Sequence, residues 1–238
     1  MTRSARHVDR FLAPSRFAAR MHAERGFSQP MTHLPPYTPR ADGDWRDPGP
    51  SPHPRPYFLY VGRLESIKGA AALARTWREV TDADLLVVGD GTDRALIEAE
   101  AAGNPRVIAC GLRAPQELGP YYAHALACIV PSITYEVAPT VVLEAFARKT
   151  PVIARDLGGT AELVRDSGGG LPYTTEQELR QAISRLAGDD EMRRTLGNRG
   201  YLAFTEQWTE DAHLTAYLGI VDEVAMMKHG HVPWHTAA

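Results

Sequence analysis

Residues 57–69 have the sequence YFLYVGRLESIKG, in which an unbroken apolar run ends at a glycine and continues into a polar segment. Such a short apolar run predicts a strand that is buried on both faces. Gly62 allows the backbone to turn tightly directly after it. The residues from about Ile67 to Val80 favour a helix next. Strand, turn and helix in this order form the repeating unit of a parallel α/β sheet.

The same unit recurs downstream. Further apolar runs have the pattern of buried strands, namely LLVVGDG, RVIACG, LACIVPS, PVIAR and GGGLPY. Helices are expected between them at about Thr92–Ala102, Pro115–His124, Pro139–Lys149 and Thr160–Val164. After Thr175 the pattern is helical, with candidate helices at Glu176–Leu186, Asp190–Leu202 and Thr209–Val224. This alternation predicts an α/β fold, a doubly wound parallel sheet followed by C-terminal helices.

A segment rich in proline and glycine, Pro35 to Pro56, has no hydrophobic periodicity and predicts a linker. Before it lie a short apolar strand, RFLAP, a helix capped by Ser15 and stopped at Gly26, and a second apolar segment, MTHL. About 34 residues cannot bury a core alone. We therefore expect the remnant of another domain at 1–36, a linker at 37–56, the α/β domain at 57–205, and a C-terminal helix and tail at 206–238.

The composition excludes some classes of function. The chain has 238 residues, 44% of them hydrophobic, and a formal net charge of -3, which gives no reason to expect a nucleic-acid partner. No run approaches the roughly 20 apolar residues of a membrane span, and the start lacks the apolar core of a secretory signal. Cys110 and Cys128 lie in apolar contexts, so we expect buried thiols and a reducing, cytoplasmic environment.

The polar segment after the first strand is the first candidate site. Ligands of a doubly wound sheet bind at the carboxyl ends of its strands, and VGRLESIKG places Arg63 and Lys68 there. Arg63 offers a planar fork for phosphate oxygens, and Lys68 adds a point charge at a helix start. The alternative is a solvated loop with two ordinary surface cations.

The second candidate is YEVAPTVVLEAFA, residues 135–147, which places Glu136 and Glu144 in an otherwise apolar run. A buried ionised carboxylate needs a partner. Pro139 suits the first turn of a helix, so Glu136 falls in the loop before that helix and Glu144 falls inside it. A carboxylate can accept two hydroxyl hydrogen bonds, as from a vicinal diol of a sugar. The alternative for Glu144 is a partly exposed helix glutamate.

Three weaker signals are expected to be structural. The turn VVGDG contains Gly89 and Gly91, which could approach a ligand but do not complete a G-x-G-x-x-G fingerprint. The acidic residues Asp82 and Asp84 precede a strand and are expected in a solvated turn. The stretch HGHVPWH contains three histidines in a tail that is expected to fray, so no metal site is predicted there.

Taken together, these segments resemble the C-terminal nucleotide-sugar domain of retaining glycosyltransferases of the GT-B fold, glycosyltransferase family 4 (group 1). The matching pieces occur in order from about Tyr57 to Tyr173 and are GRLESIKG, VVGDG, VIACGL, PSITYEVAPTVVLEAFARKTPVIA and GGTAELV. As a set they form a specific signature. The N-terminal piece VDRFLAPSRFAARMHAERGF likewise resembles the end of the family's N-terminal acceptor domain. The resemblance implies a Rossmann-like sheet.

The resemblance also implies roles for the matching residues. Arg63 and Lys68 would hold the donor diphosphate and stabilise the leaving nucleoside diphosphate. Glu136 would contact hydroxyls of the donor sugar, which makes these three the predicted catalytic residues, and Glu144 would take the ribose hydroxyls. Gly111, Leu112 and Arg113 would lie near the base. Other predicted contacts to the donor are Gly62, Gly89, Gly91, Ala138, Pro139 and Thr140.

Pro139 departs from the family pattern. The family usually has glycine three residues after the first glutamate, and proline lacks the N–H group that glycine would offer. Backbone contacts to the donor from Ala138 and Thr140 must therefore differ or shift by one residue. The resemblance further implies that most of the acceptor domain is missing from this sequence.

The function implied by the resemblance is transfer of a sugar, with retention of the anomeric configuration, from a UDP- or GDP-linked donor to an unknown acceptor. The acceptor could be a glycan, a lipid-linked sugar or a small molecule, and a separate acceptor-domain polypeptide is a further expected partner. No cofactor, metal or nucleic acid is implied. The expected location is the cytoplasm, with peripheral contact to a membrane, because many family members act on lipid-linked acceptors.

Two alternatives stay open at this point. The first is a non-catalytic nucleotide-sugar binding module, or a fragment of a truncated or split enzyme. The second is a doubly wound domain that acts through protein contacts, as a receiver domain does. The lack of an acidic cluster after the first strand argues against the second.

Overall fold

The computed structural model of the protein describes residues 4–38 and 48–235. Its strands are Phe11–Ala13 (β1), Met31–His33 (β2), Tyr57–Val61 (β3), Asp84–Val88 (β4), Val107–Gly111 (β5), Cys128–Val130 (β6), Val152–Arg155 (β7) and Gly170–Tyr173 (β8). Its helices are Arg16–Glu24 (α1), Ala70–Thr76 (α2), Arg94–Gly103 (α3), Leu118–Ala123 (α4), Thr140–Phe146 (α5), Gly158–Ser167 (α6), Glu176–Gly188 (α7), Asp190–Gln207 (α8) and Glu210–His229 (α9). Part of the predicted linker, 39–47, and residues 236–238 of the predicted tail lie outside the described residues. The four predicted region boundaries stay a prediction.

Six strands form one parallel sheet in the order β5-β4-β3-β6-β7-β8. The chain adds strands outward from β3 on one side and then returns to place β6 against the other side of β3. The predicted doubly wound α/β sheet is confirmed. The strand order reverses between β3 and β6, and sheets of this kind bind ligands at the carboxyl side of such a reversal.

Alternate residues of β3 pack on opposite faces of the sheet. On one face, Phe58 and Tyr60 belong to a core that includes Trp77, just after α2. On the other face, Tyr57 and Leu59 belong to a core built largely with α5 and α8. Because helices cover both faces, the strand is apolar throughout instead of alternating with polar residues.

The N-terminal segment packs on α6. Strands β1 and β2 pair in parallel, and α1 lies between them in sequence. Ser15 caps α1 as predicted, with its hydroxyl accepting from the N–H of Ala18 at 3.1 Å. The carboxylate of Glu162, on α6, accepts hydrogen bonds from the N–H groups of Arg16 and Phe17 at 2.8 and 2.7 Å. A carboxylate suits this position, because the first N–H groups of a helix lack partners within the helix.

The prediction of one continuous helix from Ile67 to Val80 was wrong. The structure has a 3₁₀ turn at Ser66–Lys68 and then α2, and Gly69 separates the two with φ +78°. This left-handed conformation interrupts the helical hydrogen bonds and suits glycine far better than any other residue. The interruption sets the position of Lys68, as described below.

Other helix boundaries differ by a few residues. Helix α5 ends at Phe146 instead of Lys149, because Lys149 adopts φ +56° and turns the chain. Helix α6 begins two residues earlier than predicted and continues to Ser167, and α8 and α9 extend beyond their predicted ends. In the described part of the chain, no helix is both long and apolar enough to cross a membrane.

Asp84 is not in a solvated turn, so that expectation was wrong. It is the first residue of β4 and is fully buried. Its Oδ2 lies 2.6 Å from Nε2 of His53 and 2.7 Å from Nε of Arg55, and its Oδ1 lies 3.5 Å from Nη1 of Arg106. These partners explain how the carboxylate can be buried. We refer to these four residues as the Asp84 cluster, which lies at the amino ends of the strands.

Both cysteines are free, and Cys128 is fully buried while Cys110 is partly buried. Burial raises the pKa of each thiol. A raised pKa keeps a thiol protonated at neutral pH and therefore weakly reactive. The two side chains serve the packing of the sheet, as their apolar sequence contexts indicated.

Candidate functional site

An open cavity of about 220 Å³ lies at the carboxyl ends of β3 and β6, where the strand order reverses. Val61 and Val130, the last residues of these strands, line it. The cavity brings together six of the residues predicted from the sequence, namely Gly62, Arg63, Lys68, Glu136, Pro139 and Thr140. They come from two loops that are far apart in sequence.

Lys68 and Glu136 form an ion pair inside this cavity. Nζ of Lys68 lies 2.5 Å from Oε1 of Glu136, and the hydroxyl of Ser132 donates to the same oxygen at 2.9 Å. The two charged side chains are only 20% and 16% exposed. Partial burial weakens the screening by water, so this pair interacts more strongly than an exposed pair. The partner required by a carboxylate at position 136 is therefore present.

Backbone contacts hold the two loops together. The N–H of Ile133 donates to the carbonyl of Ile67 at 2.9 Å. A Cβ on Gly69 would lie 2.6 Å from the carbonyl oxygen of Pro131, closer than van der Waals contact permits. Because glycine follows Lys68, the loop after β3 can approach the loop after β6 and bring Lys68 to Glu136.

The first turn of α6 supports Glu136 from another direction. The N–H of Gly159 donates to the carbonyl of Glu136 at 2.7 Å. A Cβ on Gly159 would lie 1.8 Å from the carbonyl oxygen of Val137. The glycines of GGTAELV therefore permit close backbone packing, which fixes the loop that carries Glu136.

Arg63 lies at the mouth of the cavity, with its side chain 67% exposed. Its Nη1 lies 2.6 Å from Oε1 of Glu65. The hydroxyl of Tyr60 donates to the backbone carbonyl of Arg63 at 2.8 Å. Burial raises the pKa of Tyr60, so this donor stays protonated at neutral pH. The backbone of Arg63 is thus fixed while its guanidinium group can reorient.

A second open cavity of about 170 Å³ adjoins the first and shares Val61, Gly62 and Arg63 with it. Three further predicted residues, Gly89, Leu112 and Arg113, line this second cavity. Nε of Arg113 lies 3.1 Å from the hydroxyl of Tyr121 on α4. The two cavities lie at the carboxyl ends of the central strands, and we refer to them together as the groove. The first cavity has charged side chains in its lining, and the lining of the second is mostly apolar.

The glycines of VVGDG are explained by backbone packing. A Cβ on Gly89 would lie 1.9 Å from the carbonyl oxygen of Gly62, and one on Gly91 would lie 2.5 Å from that of Leu64. Gly89 lines the second cavity, whereas Gly91 is not among the lining residues of either cavity in the groove. Gly111 lines a neighbouring cavity of about 190 Å³ together with Gly89. Contact of these glycines with a ligand stays a prediction.

Glu144 lies inside α5 as predicted, partly exposed and next to α4. It does not line either cavity of the groove, and neither does Ala138. Oε2 of Glu144 accepts a hydrogen bond from the hydroxyl of Tyr122 at 2.6 Å. Each of the two glutamates in YEVAPTVVLEAFA therefore has a partner within the protein.

The sequence analysis missed the side chains that hold these glutamates. Ser132 ends the run LACIVPS, and its position just after a strand could have marked it. Tyr122 precedes Glu144 by 22 positions and lies on another helix, so no local pattern links the two residues.

Within the described ranges, no group of three or more histidine, cysteine, aspartate or glutamate side chains is arranged to hold a metal ion. The rings of His229 and His231 lie 6.4 Å apart between centroids. The side chain of His235, the third histidine of HGHVPWH, lies outside the described residues.

Comparisons with known proteins point to one family. The family model described as "Glycosyl transferases group 1" matches residues 55–189, which include the whole groove. The chain is 26% identical over 182 residues to alpha-D-kanosaminyltransferase of Streptomyces kanamyceticus, covering 72% of this chain and 47% of that protein. It is 32% identical over 145 residues to a GDP-mannose-dependent alpha-mannosyltransferase of Mycobacterium tuberculosis, covering 57% of this chain and 35% of that protein.

A solved structure shows the same likeness. Sucrose-phosphate synthase of Thermosynechococcus elongatus superposes with a TM-score of 0.75 and 26% identity, covering 91% of this chain and 58% of that structure. The matched region thus spans about half the length of the kanosaminyltransferase and of the sucrose-phosphate synthase, and about a third of the mannosyltransferase. The predicted Rossmann-like sheet of a GT-B fold is confirmed, and so is the predicted resemblance to the group 1 glycosyltransferases. By its sequence from 55 to 189 and by its fold, the chain belongs to the glycosyl transferases of group 1.

Proposed function

We propose that the groove binds a nucleoside-diphosphate sugar as a glycosyl donor. The sugar and the diphosphate occupy the cavity that contains Lys68 and Glu136, and the base occupies the second cavity beside Leu112 and Arg113. The observation that carries this proposal is the convergence of two cations and a carboxylate in one cavity at the strand reversal. This is the position where doubly wound sheets bind ligands.

The diphosphate binds Arg63 and Lys68. Each cation is already paired with a carboxylate, Glu65 or Glu136, so the diphosphate joins or replaces these partners. Arg63 can reorient readily because two thirds of its side chain is exposed. Its planar guanidinium group matches two phosphate oxygens at once.

Glu136 accepts hydroxyl hydrogen bonds from the donor sugar. As Lys68 shares its charge with the diphosphate, the Glu136 carboxylate becomes available to the sugar. Ser132 and the Gly159 N–H keep the residue in place during this exchange. Pro139 and Thr140 line the same cavity, and Pro139 directly precedes α5, so the backbone of Thr140 begins the helix next to the donor.

The proposed reaction is glycosyl transfer with retention. The bond between the anomeric carbon and the diphosphate oxygen breaks, and its electron pair goes to the diphosphate. An acceptor hydroxyl oxygen bonds to the same face of the sugar and gives its proton to the departing diphosphate oxygen. Negative charge therefore grows next to Arg63 and Lys68, which stabilise it in the transition state. These two cations take the place of a metal ion in the scheme.

The base of the donor and the acceptor complete the proposal. One relative is named as GDP-mannose dependent, which supports a GDP-linked donor, and a UDP-linked donor is the other choice. The acceptor and a separate acceptor-domain polypeptide are proposed to approach the open side of the cavity that contains Glu136. The proposed location is the cytoplasm, with peripheral contact to a membrane.

Binding and turnover should be measured together. We expect the chain to bind UDP or GDP in the absence of metal, and the Arg63→Ala variant to bind at least about tenfold more weakly, because a hydrogen bond to a charged group contributes about 1.5–3 kcal/mol. Arg194→Ala, which removes another exposed arginine, is the matched control. Equal affinities for the native chain and the Arg63 variant would reject the proposed donor site.

A second candidate is a module that binds the nucleotide sugar without transferring it. The likeness to the kanosaminyltransferase extends over 47% of that protein, and donor binding by the groove is the only activity that this candidate requires. In this case UDP- or GDP-sugars bind, but neither hydrolysis nor transfer is observed until a second polypeptide is added. Turnover by the chain alone would exclude this candidate.

A further inference from the structure

Tyr122 is completely buried, and its hydroxyl lies 2.6 Å from Oε2 of Glu144. A carboxylate can only accept hydrogen bonds, so the tyrosine is the donor. Burial, together with the charge of Glu144, raises the pKa of Tyr122 well above its ordinary value. The donor proton is therefore retained at every physiological pH.

The tyrosine is itself held in place. The hydroxyl of Thr150 donates to the backbone carbonyl of Tyr122 at 2.7 Å. The guanidinium carbon of Arg148 lies 5.6 Å from the centre of the tyrosine ring, and Nη1 of the same arginine donates to the carbonyl of Glu144 at 3.2 Å. These contacts join α4 to α5 and leave the ring little freedom. The direction from which Glu144 receives its hydrogen bond is thus fixed by packing.

We propose that Tyr122 is a positioning residue for nucleotide binding. It holds Oε2 of Glu144 and so orients the carboxylate, which leaves Oε1 as the acceptor for a ribose hydroxyl. This inference rests on the proposed donor site and on the role that the resemblance to the glycosyltransferase family implies for Glu144, which is to take the ribose hydroxyls of the donor. A glutamate without this contact would sample several rotamers, and the ribose would have to order it on binding.

A merely structural tyrosine would behave differently. If its hydroxyl only satisfies a buried group, its removal lowers stability but leaves the choice between ribose and deoxyribose unchanged. If it positions Glu144, its removal weakens the recognition of the ribose hydroxyls in particular. The ratio of the Kd for a 2′-deoxynucleotide to the Kd for the ribonucleotide therefore separates the two roles.

The test compares UDP with 2′-deoxy-UDP, and GDP with 2′-deoxy-GDP, by calorimetry on the full chain. We expect the native chain to prefer the ribonucleotide about tenfold, Glu144→Ala to reduce the ratio to near one, and Tyr122→Phe to reduce it at least about threefold. In the Glu144→Ala background, Tyr122→Phe should change the ratio no further.

Tyr57→Phe is the matched control. Tyr57 is also buried, and its hydroxyl donates to the backbone of α4, to the carbonyl of Tyr121 at 2.9 Å. This variant should lower the melting temperature, as Tyr122→Phe does, while it keeps the native ratio. Should Tyr122→Phe fail to fold, Thr150→Val loosens the same tyrosine but keeps its hydroxyl, and it should reduce the ratio to a smaller extent.

The outcomes distinguish this inference from the proposed function. A native ratio in the Tyr122→Phe variant, or in Thr150→Val where the former does not fold, overturns the inference while the donor site stands. A native ratio in Glu144→Ala overturns both the ribose role of Glu144 and the inference. If the native chain binds neither UDP nor GDP, the proposed function fails and the inference fails with it.

Discussion

The sheet has one cluster of opposite charges at the amino ends of its strands, here called the amino edge, and another at their carboxyl ends, the carboxyl edge. The two clusters differ in exposure. At the amino edge, Asp84 is 0% exposed beneath His53, Arg55 and Arg106. At the carboxyl edge, Lys68 and Glu136 are 20% and 16% exposed and face a cavity. Ion pairing alone therefore does not identify a binding site. What distinguishes the carboxyl edge is the open cavity beside its charged side chains.

The largest expected effect is on stability at the amino edge. Asp84→Asn leaves the surrounding cations without their anion, and loss of one partner of a buried pair should lower the free energy of unfolding by about 3 kcal/mol. Urea denaturation measures this change. The affinity of the folded protein for UDP or GDP should not change. The control is Asp82→Asn, two residues earlier and exposed, which should alter neither the unfolding free energy nor the affinity. A loss of affinity in the Asp84 variant would show that the two edges are coupled.

Gly69→Ala should affect both properties at the carboxyl edge. The added Cβ meets the carbonyl oxygen of Pro131 at 2.6 Å in a residue with φ +78°, so we expect a loss of about 2 kcal/mol in stability. Displacement of Lys68 should also weaken nucleotide binding. Gly103→Ala, whose Cβ meets no atom within 4 Å, is the control and should be neutral or slightly stabilising. Unchanged nucleotide affinity in the Gly69 variant would contradict the role of this glycine in placing Lys68.

Lys68→Ala should act mainly on binding. We expect the Kd for UDP or GDP to rise about tenfold, which corresponds to roughly 1.4 kcal/mol. The unfolding free energy should fall by less than about 1 kcal/mol, because Glu136 keeps its hydrogen bond from Ser132 and faces an open cavity. Lys228→Ala removes another lysine that is paired with an aspartate and should leave the Kd unchanged. A stability loss as large as that of Asp84→Asn would remove the contrast between the two edges.

Salt should produce the smallest effect. Raising the ionic strength from about 0.05 to 0.5 M shortens the Debye length severalfold, so we expect the affinity for UDP or GDP to fall a few fold through screening at the open edge. The difference in stability between the native chain and Asp84→Asn should hardly depend on salt, since Asp84 is enclosed. Titrations and urea melts at both ionic strengths test this pair of expectations.

Much of the fold follows from local patterns. Continuous apolar runs such as Tyr57–Val61 predicted buried strands, and the alternation with helices predicted the parallel sheet. Helix boundaries were less predictable. Gly69 and Lys149 both have positive φ, and the apolar pattern of the sequence does not mark where these two turns fall.

The candidate site was predictable only in part. The position of polar residues after strands correctly indicated that Lys68 and Glu136 would share one edge, since the carboxyl ends of parallel strands meet there. The burial of Asp84 was missed because its partners come from a proline-rich stretch and from the residue before β5. Tyr122 was missed because its contact with Glu144 joins two helices. Long-range pairs of this kind need three-dimensional information.

The contacts of α6 have a mechanical consequence. Through Glu162 this helix holds the N–H groups at the start of α1, and through the Gly159 N–H it holds the carbonyl of Glu136. Both attachments lie within the first turn and a half of one short, stiff element. A displacement of α1 would therefore be transmitted through α6 to the loop that contains Glu136, without involving the linker.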